Sequence, residues 1–60
     1  MQKVSVWTIS SQLSKPDLVV MDELVDVTIA ERVVVIRTLS PLVSWTFPLH
    51  AVTAVKAEEV

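Results

Sequence analysis

The segment RVVVIRTLSPLVSWTFPLHAV, residues 32 to 52, contains four consecutive aliphatic residues, Val33 to Ile36, which make both alternating faces of a strand apolar. The stretch from Leu18 to Met21 has the same property. Strands that are apolar on both faces are typical of burial on both sides. A chain of 60 residues buries only about 60% of the surface that its unfolded form exposes. We therefore expect another chain, most simply a second copy, to cover one sheet face or a sheet edge.

Domains of this size usually depend on disulfides, a structural metal or oligomerisation. The chain has no cysteine, which excludes disulfides and thiolate zinc sites. His50 is the only histidine, and no carboxylate lies at ligand spacing around it. The absence of glycine excludes phosphate-binding loops and dinucleotide fingerprints, whose backbone positions require it. No cofactor, metal or small-molecule substrate is therefore expected, and association with protein is the remaining support.

Thirteen valines, together with threonines and isoleucines at alternating positions, favour β-strands, because β-branched side chains pack well on a pleated surface. The prediction is an all-β fold in a single domain, residues 1–60, built as a small antiparallel sheet or partly open barrel of four to five strands. A short helical turn near the C terminus is part of this prediction.

The predicted strands follow from period-two alternation and from the turn residues between them. Asp22-Glu23 is interpreted as a bend within one long strand, since a tight two-residue turn without glycine is costly. Residues 49–59 have two interpretations, a short turn followed by a strand, which we prefer, or a helix. The predicted strands cover residues 3–9, 17–29 with the bend, 33–38, 43–47 and 53–57, with a loop over 10–16, a hairpin connection at 30–32 and a type I turn at 39–42.

Two groups of side chains are candidates for chemical sites. His50 lies six residues after Ser44 and ten after Ser40, but no orienting acid or oxyanion site accompanies them, so a turn residue is the preferred interpretation. Asp22, Glu23 and Asp26 form a local acidic cluster without the spacing of a calcium loop. We interpret these charges as guards of a strand edge, and we expect no enzymatic activity.

The aromatic residues divide into two groups. Trp45 and Phe47 share a face with Val43, so they are predicted to fill the core, with Ser44 and Thr46 outward. Trp7 has the mixed face-mates Ser5 and Ile9, which makes it a candidate anchor for a partner. The residues predicted to face a partner are Trp7, Leu18, Val20, Val34 and Ile36.

The preferred function is a non-enzymatic interaction or structural module that forms a homo-oligomer or docks on a larger assembly, such as a viral or phage particle. The alternative is a small oligomeric nucleic-acid-binding regulator, although a net charge of −2 argues against it. Its bases would be Lys3, Lys15, Arg32, Arg37 and Lys56. The longest aliphatic run is far shorter than a membrane span and no signal peptide is apparent, so we expect a cytoplasmic location, or the host cytoplasm or virion if the chain is viral.

Overall fold

In a computed structural model, which describes residues 1–11, 15–39 and 41–60, the chain forms six β-strands and one 3-10 turn. The residues outside these ranges lie between the first and second strands and between the fourth and fifth strands. Ser40, which belongs to the predicted type I turn, is one of them. The elements are β1 (Gln2–Thr8), β2 (Leu18–Asp22), β3 (Val25–Ile29), β4 (Val33–Leu39), β5 (Leu42–Pro48), the 3-10 turn (Leu49–Ala51) and β6 (Val52–Glu59).

The strands form two three-stranded antiparallel sheets, a first sheet in the order β2-β1-β6 and a second sheet in the order β3-β4-β5. The buried apolar residues come equally from both sheets, so the core lies between them. The all-β antiparallel prediction is confirmed, and the core consists of Val4, Val6 and Val20 from the first sheet with Val25, Val34 and Ile36 from the second.

The bend predicted at Asp22-Glu23 is where the chain passes from one sheet to the other. β2 ends at Asp22 in the first sheet, and β3 begins at Val25 in the second. The backbone N–H of Val25 donates a hydrogen bond to Oε1 of Gln2 at 2.8 Å, which ties the start of β3 back to β1. The predicted long strand therefore contributes two strands, which is why the structure has six strands where four to five were expected.

The C-terminal residues form a turn and then a strand. Leu49–Ala51 is a single 3-10 turn, and its first N–H donates to the carbonyl oxygen of Arg32 at 2.8 Å. β6 then returns the chain to the first sheet, where it pairs with β1. The strand interpretation is confirmed and the helical alternative is wrong. No helix in the described ranges has the length and hydropathy needed to cross a membrane.

The two apolar faces of β4 have different environments. Val34 and Ile36 face the core and are 1% and 0% exposed, whereas Val33 and Val35 lie on the outer face of the second sheet and are half-buried. The first sheet of the same chain therefore covers one face of β4. The 60 residues thus form two layers by themselves, because the bend after β2 takes the chain from one sheet to the other, and the predicted cover by another chain concerns only the outer faces and the sheet edges.

Candidate interaction surface

The five residues predicted to face a partner do not form one surface. Val20, Val34 and Ile36 are buried between the two sheets, which corrects their assignment to a partner, because the chain's own second layer covers them. Leu18 packs against the same core and is half-buried. Trp7 is the remaining member: it is half-buried and alternates with Val6 and Thr8, so it lies on the outer face of the first sheet.

Of the candidate catalytic residues, the described ranges include His50 and Ser44, and both are exposed. His50 is exposed in the 3-10 turn, and Ser44 is exposed on β5. Glu23 donates its backbone N–H to Oδ1 of Asp22 at 2.7 Å, and Asp26 accepts a hydrogen bond from the Thr28 hydroxyl at 3.1 Å. These carboxylates therefore bond to nearby groups of the chain. Within residues 1–11, 15–39 and 41–60, no group of three or more acidic or histidine side chains is arranged to hold a metal ion.

The five basic residues are spread over the molecule. Lys3 and Lys56 lie on the outer face of the first sheet, and both form ion pairs with Glu58, at 3.8 Å and 3.4 Å. Arg37 lies on the outer face of the second sheet, opposite Asp26 across the β3–β4 ladder. Lys15 and Arg32 are exposed in two different connections. One chain therefore does not present a continuous basic surface.

Sequence reasoning missed a polar cluster where the chain leaves β1. The Thr8 hydroxyl donates a hydrogen bond to Oδ2 of Asp17, and the Ser10 hydroxyl donates to the same oxygen at 3.2 Å. The backbone N–H of Asp17 donates to the Val6 carbonyl at 2.9 Å, and that of Thr8 donates to Oγ of Ser11 at 2.8 Å. These bonds fix both ends of the connection between β1 and β2.

Hydrogen bonds from three hydroxyl-bearing residues, Thr8, Ser11 and Ser10, shift the ionisation of Asp17. They lower its pKa below the ordinary value of 3.8, with the bond from Thr8 as the largest cause, then Ser11, while desolvation opposes them and Ser10 adds a smaller lowering. A carboxylate whose negative charge is stabilised in this way is a weak base, so the cluster is suited to closing a loop rather than to proton transfer. The Pro-Asp pair at residues 16–17 was the available sequence signal, since aspartate commonly bonds to nearby backbone and hydroxyl groups in turns.

Three leucines at one end of the second sheet form an exposed apolar surface, which we call the leucine patch: Leu24, Leu39 and Leu42. They are 53%, 61% and 77% exposed. Leu39 and Leu42 lie directly opposite each other where β4 turns into β5, and Leu24 lines the same cavity as Leu39, with Arg37 beside them. Contiguous exposed apolar residues of this kind are typical of interaction surfaces.

The leucine patch continues into β5, an edge strand without ionisable side chains. β5 pairs with β4 alone, and its sequence LVSWTFP is uncharged. The other edge strands each carry charge, with Asp22 in β2, Asp26 in β3 and Lys56 among the residues of β6. Charged residues on an edge oppose pairing with another chain. β5 is therefore the edge of this molecule that is least protected by charge.

The fold and these surfaces define a small all-β protein whose exposed features include an uncharged strand edge and an apolar patch. No family model matches the chain, and neither a curated protein nor a solved structure was found to be similar to it.

Proposed function

We propose that this chain is a non-enzymatic interaction module that associates with copies of itself and, in that form, serves as a component of a larger protein assembly, such as a viral or phage particle. One observation carries the proposal. Leu42, 77% exposed, lies at the start of the uncharged edge strand β5 and belongs to the leucine patch. An exposed apolar side chain and a free strand edge therefore occur at the same place. Association with another chain would bury the side chain and give hydrogen-bond partners to the backbone groups of the edge.

The size of the core supports a role in association. Among the described residues, the fully buried core consists of six apolar side chains, all but one of them valine, and the larger Trp45 and Phe47 that pack against it stay half-buried. Burying a leucine side chain contributes about 1.5–3 kcal/mol. Leu42, the member of the leucine patch that lies on β5, therefore offers a contribution that is appreciable relative to the stability of a domain of this size.

The polar groups that the fold gathers support a non-enzymatic role. Thr8, Ser10 and Asp17 bond to one another and to the backbone that closes the first connection. His50 projects from a turn in which no residue is buried. A general base requires a partner within hydrogen-bond reach and a site that shields the reaction from water, and the surroundings of His50 do not provide such shielding.

Light scattering across a dilution series, with circular dichroism on the same samples, tests the proposal. We expect a mass above that of one chain at high concentration and a shift towards 6.7 kDa on dilution. Circular dichroism reports whether the strands persist as the oligomer dissociates. A constant mass of one chain at every concentration would refute self-association.

A further inference from the structure

We infer that two copies of this chain associate by antiparallel pairing of their β5 strands, which joins the second sheets into one continuous six-stranded sheet. This inference deepens the proposed function and rests on it, since it identifies the edge through which self-association occurs. It follows from the direction of the backbone groups on β5, from the absence of charge on that strand and from the position of Pro48.

The register of the β4–β5 ladder shows which backbone groups of β5 face away from β4. The N–H of Leu49 donates to the Arg32 carbonyl, so this pair is a hydrogen-bonded one. In an antiparallel ladder hydrogen-bonded pairs recur at every second residue. The register therefore directs the backbone groups of Val43, Trp45 and Phe47 towards β4, and those of Leu42, Ser44 and Thr46 towards the free edge.

The backbone groups at the free edge are self-complementary. When the two-fold axis passes beside Ser44, this residue lies opposite its own copy, and Leu42 lies opposite Thr46 of the other chain. Each of these three residues then donates one hydrogen bond across the interface and accepts one. An antiparallel strand pair of this kind is an isologous interface, in which the same surface serves both subunits.

Pro48 marks where this ladder ends. Backbone groups along β5 point alternately to β4 and to the free edge, and the backbone nitrogen of Pro48 points to the free edge. Proline, however, has no N–H to donate. The register centred on Ser44 does not use this position, because the residue opposite Pro48 falls before β5 begins. The register therefore uses every donor that the free edge offers.

The side chains of β5 are compatible with the same arrangement. On the core side, Val43 of one copy lies opposite Trp45 of the other, and an aromatic residue beside a β-branched one is a favourable cross-strand pair. Both are half-buried in one chain and line an open groove of about 300 Å³ that also contacts Val19 and Met21. A second β5 would cover this groove. No like charges meet across the axis, because β5 has no ionisable side chain.

A single engineered cysteine tests the register, since the chain has no cysteine of its own. In Ser44→Cys the two Cα atoms across the axis would lie about 5.5 Å apart, within the usual disulfide range. In the matched control Thr46→Cys the two Cα atoms would lie on the order of 13 Å apart, because the copies are offset by four residues. We expect mild oxidation to cross-link the first variant and not the second. Equal cross-linking of both variants, or of neither, would overturn this register.

A charge substitution tests the edge itself. Ser44→Lys would place two lysines opposite each other across the axis, and we expect association to weaken about tenfold or more. The control is Thr28→Lys, a similar exposed hydroxyl residue on β3, the opposite edge of the same sheet. Ser44→Pro is a second variant, which removes an outward N–H without removing a β4 hydrogen bond.

The outcomes separate the two proposals. Loss of association in both Ser44 variants but not in Thr28→Lys would support pairing through β5. If the unmodified chain associates and the Ser44 variants associate equally well, the β5 inference is wrong while self-association stands. Equal weakening by Thr28→Lys would assign the contact to the outer face of the sheet instead of its edge. A monomeric unmodified chain would refute the proposed function and this inference with it.

Discussion

Ile36 lies directly opposite Trp45 across the β4–β5 ladder, on the face of the second sheet that covers the core. Ile36 is 0% exposed, and Trp45 packs half-buried against the same core. The indole therefore lies beside the buried Ile36 side chain, at the side of the core where β5 is the edge strand. One residue of this pair thus belongs to the core of the chain, and the other belongs to the strand through which we infer that two chains associate.

Shortening Ile36 is predicted to destabilise the fold in proportion to the volume removed. Ile36→Val should lower the free energy of unfolding by about 0.5–1.5 kcal/mol and Ile36→Ala by about 2–5 kcal/mol, because the fully packed site leaves a cavity. Urea unfolding followed by circular dichroism at one protein concentration measures both values. The control is Val35→Ala, at a half-buried position on the outer face of the same strand. A cost for Val35→Ala as large as that for Ile36→Ala would contradict the assignment of the core face.

The hydrogen bonds to Asp17 predict a pH-dependent contribution to stability. Because the pKa of Asp17 is lower in the folded state than its ordinary value of 3.8, the ionised carboxylate stabilises the fold above that pH. The contribution is lost as the pH falls through the folded-state pKa. Asp17→Asn should therefore lower the melting temperature at neutral pH, and the difference from the unmodified chain should shrink in acid. Melting curves across this range measure the effect, and a difference that grows in acid would contradict it.

The Thr8 hydroxyl is predicted to be the main cause of the shift at Asp17. In Thr8→Val, which keeps the shape of the side chain and removes the donor, the pKa of Asp17 should rise towards its ordinary value. NMR titration of the Asp17 carboxyl carbon measures this directly. Thr28→Val is the control, because the Thr28 hydroxyl bonds to Asp26 instead. An unchanged midpoint for Asp17 in Thr8→Val would assign the shift to the other hydroxyl groups.

The strands were predictable because alternation of apolar and polar residues is a local property. β5 shows it most clearly, with Val43, Trp45 and Phe47 towards the core and Ser44 exposed. The bend at Asp22-Glu23 was predictable from composition, since a chain without glycine disfavours a tight turn there, but the change from one sheet to the other at this bend was not.

The partner of each face was not predictable, because it depends on contacts between residues far apart in the chain. The pattern around Val34 and Ile36 indicates two apolar faces, but it does not show that β1 and β2 of the same chain cover one of them. The loop closure that joins Thr8 to Asp17 is likewise a contact across the first connection, which alternation does not report. The surface that remains uncovered could be identified only after these contacts were known.

The nucleic-acid alternative makes a separate prediction. Because Lys3 and Lys56 both pair with Glu58, and Arg37 lies on the opposite sheet, we expect no measurable binding of labelled single- or double-stranded oligonucleotides at physiological salt. Fluorescence anisotropy titrations at low and high salt test this expectation. Binding that weakens steeply with rising salt would instead show that assembly gathers the bases into one surface.

The two tryptophans allow the interface to be located by fluorescence, because they lie on different sheets. Trp45 is on the edge strand β5, whereas Trp7 is on the central strand of the first sheet and faces outward. In Trp7→Phe, which leaves Trp45 as the reporter, emission should shift to shorter wavelength and acrylamide quenching should fall as concentration rises, since association through β5 removes Trp45 from water. In Trp45→Phe, the signal from Trp7 should not change with concentration. The opposite result, with Trp7 alone responding, would assign association to the outer face of the first sheet, where the sequence predicts Trp7 as an anchor for a partner.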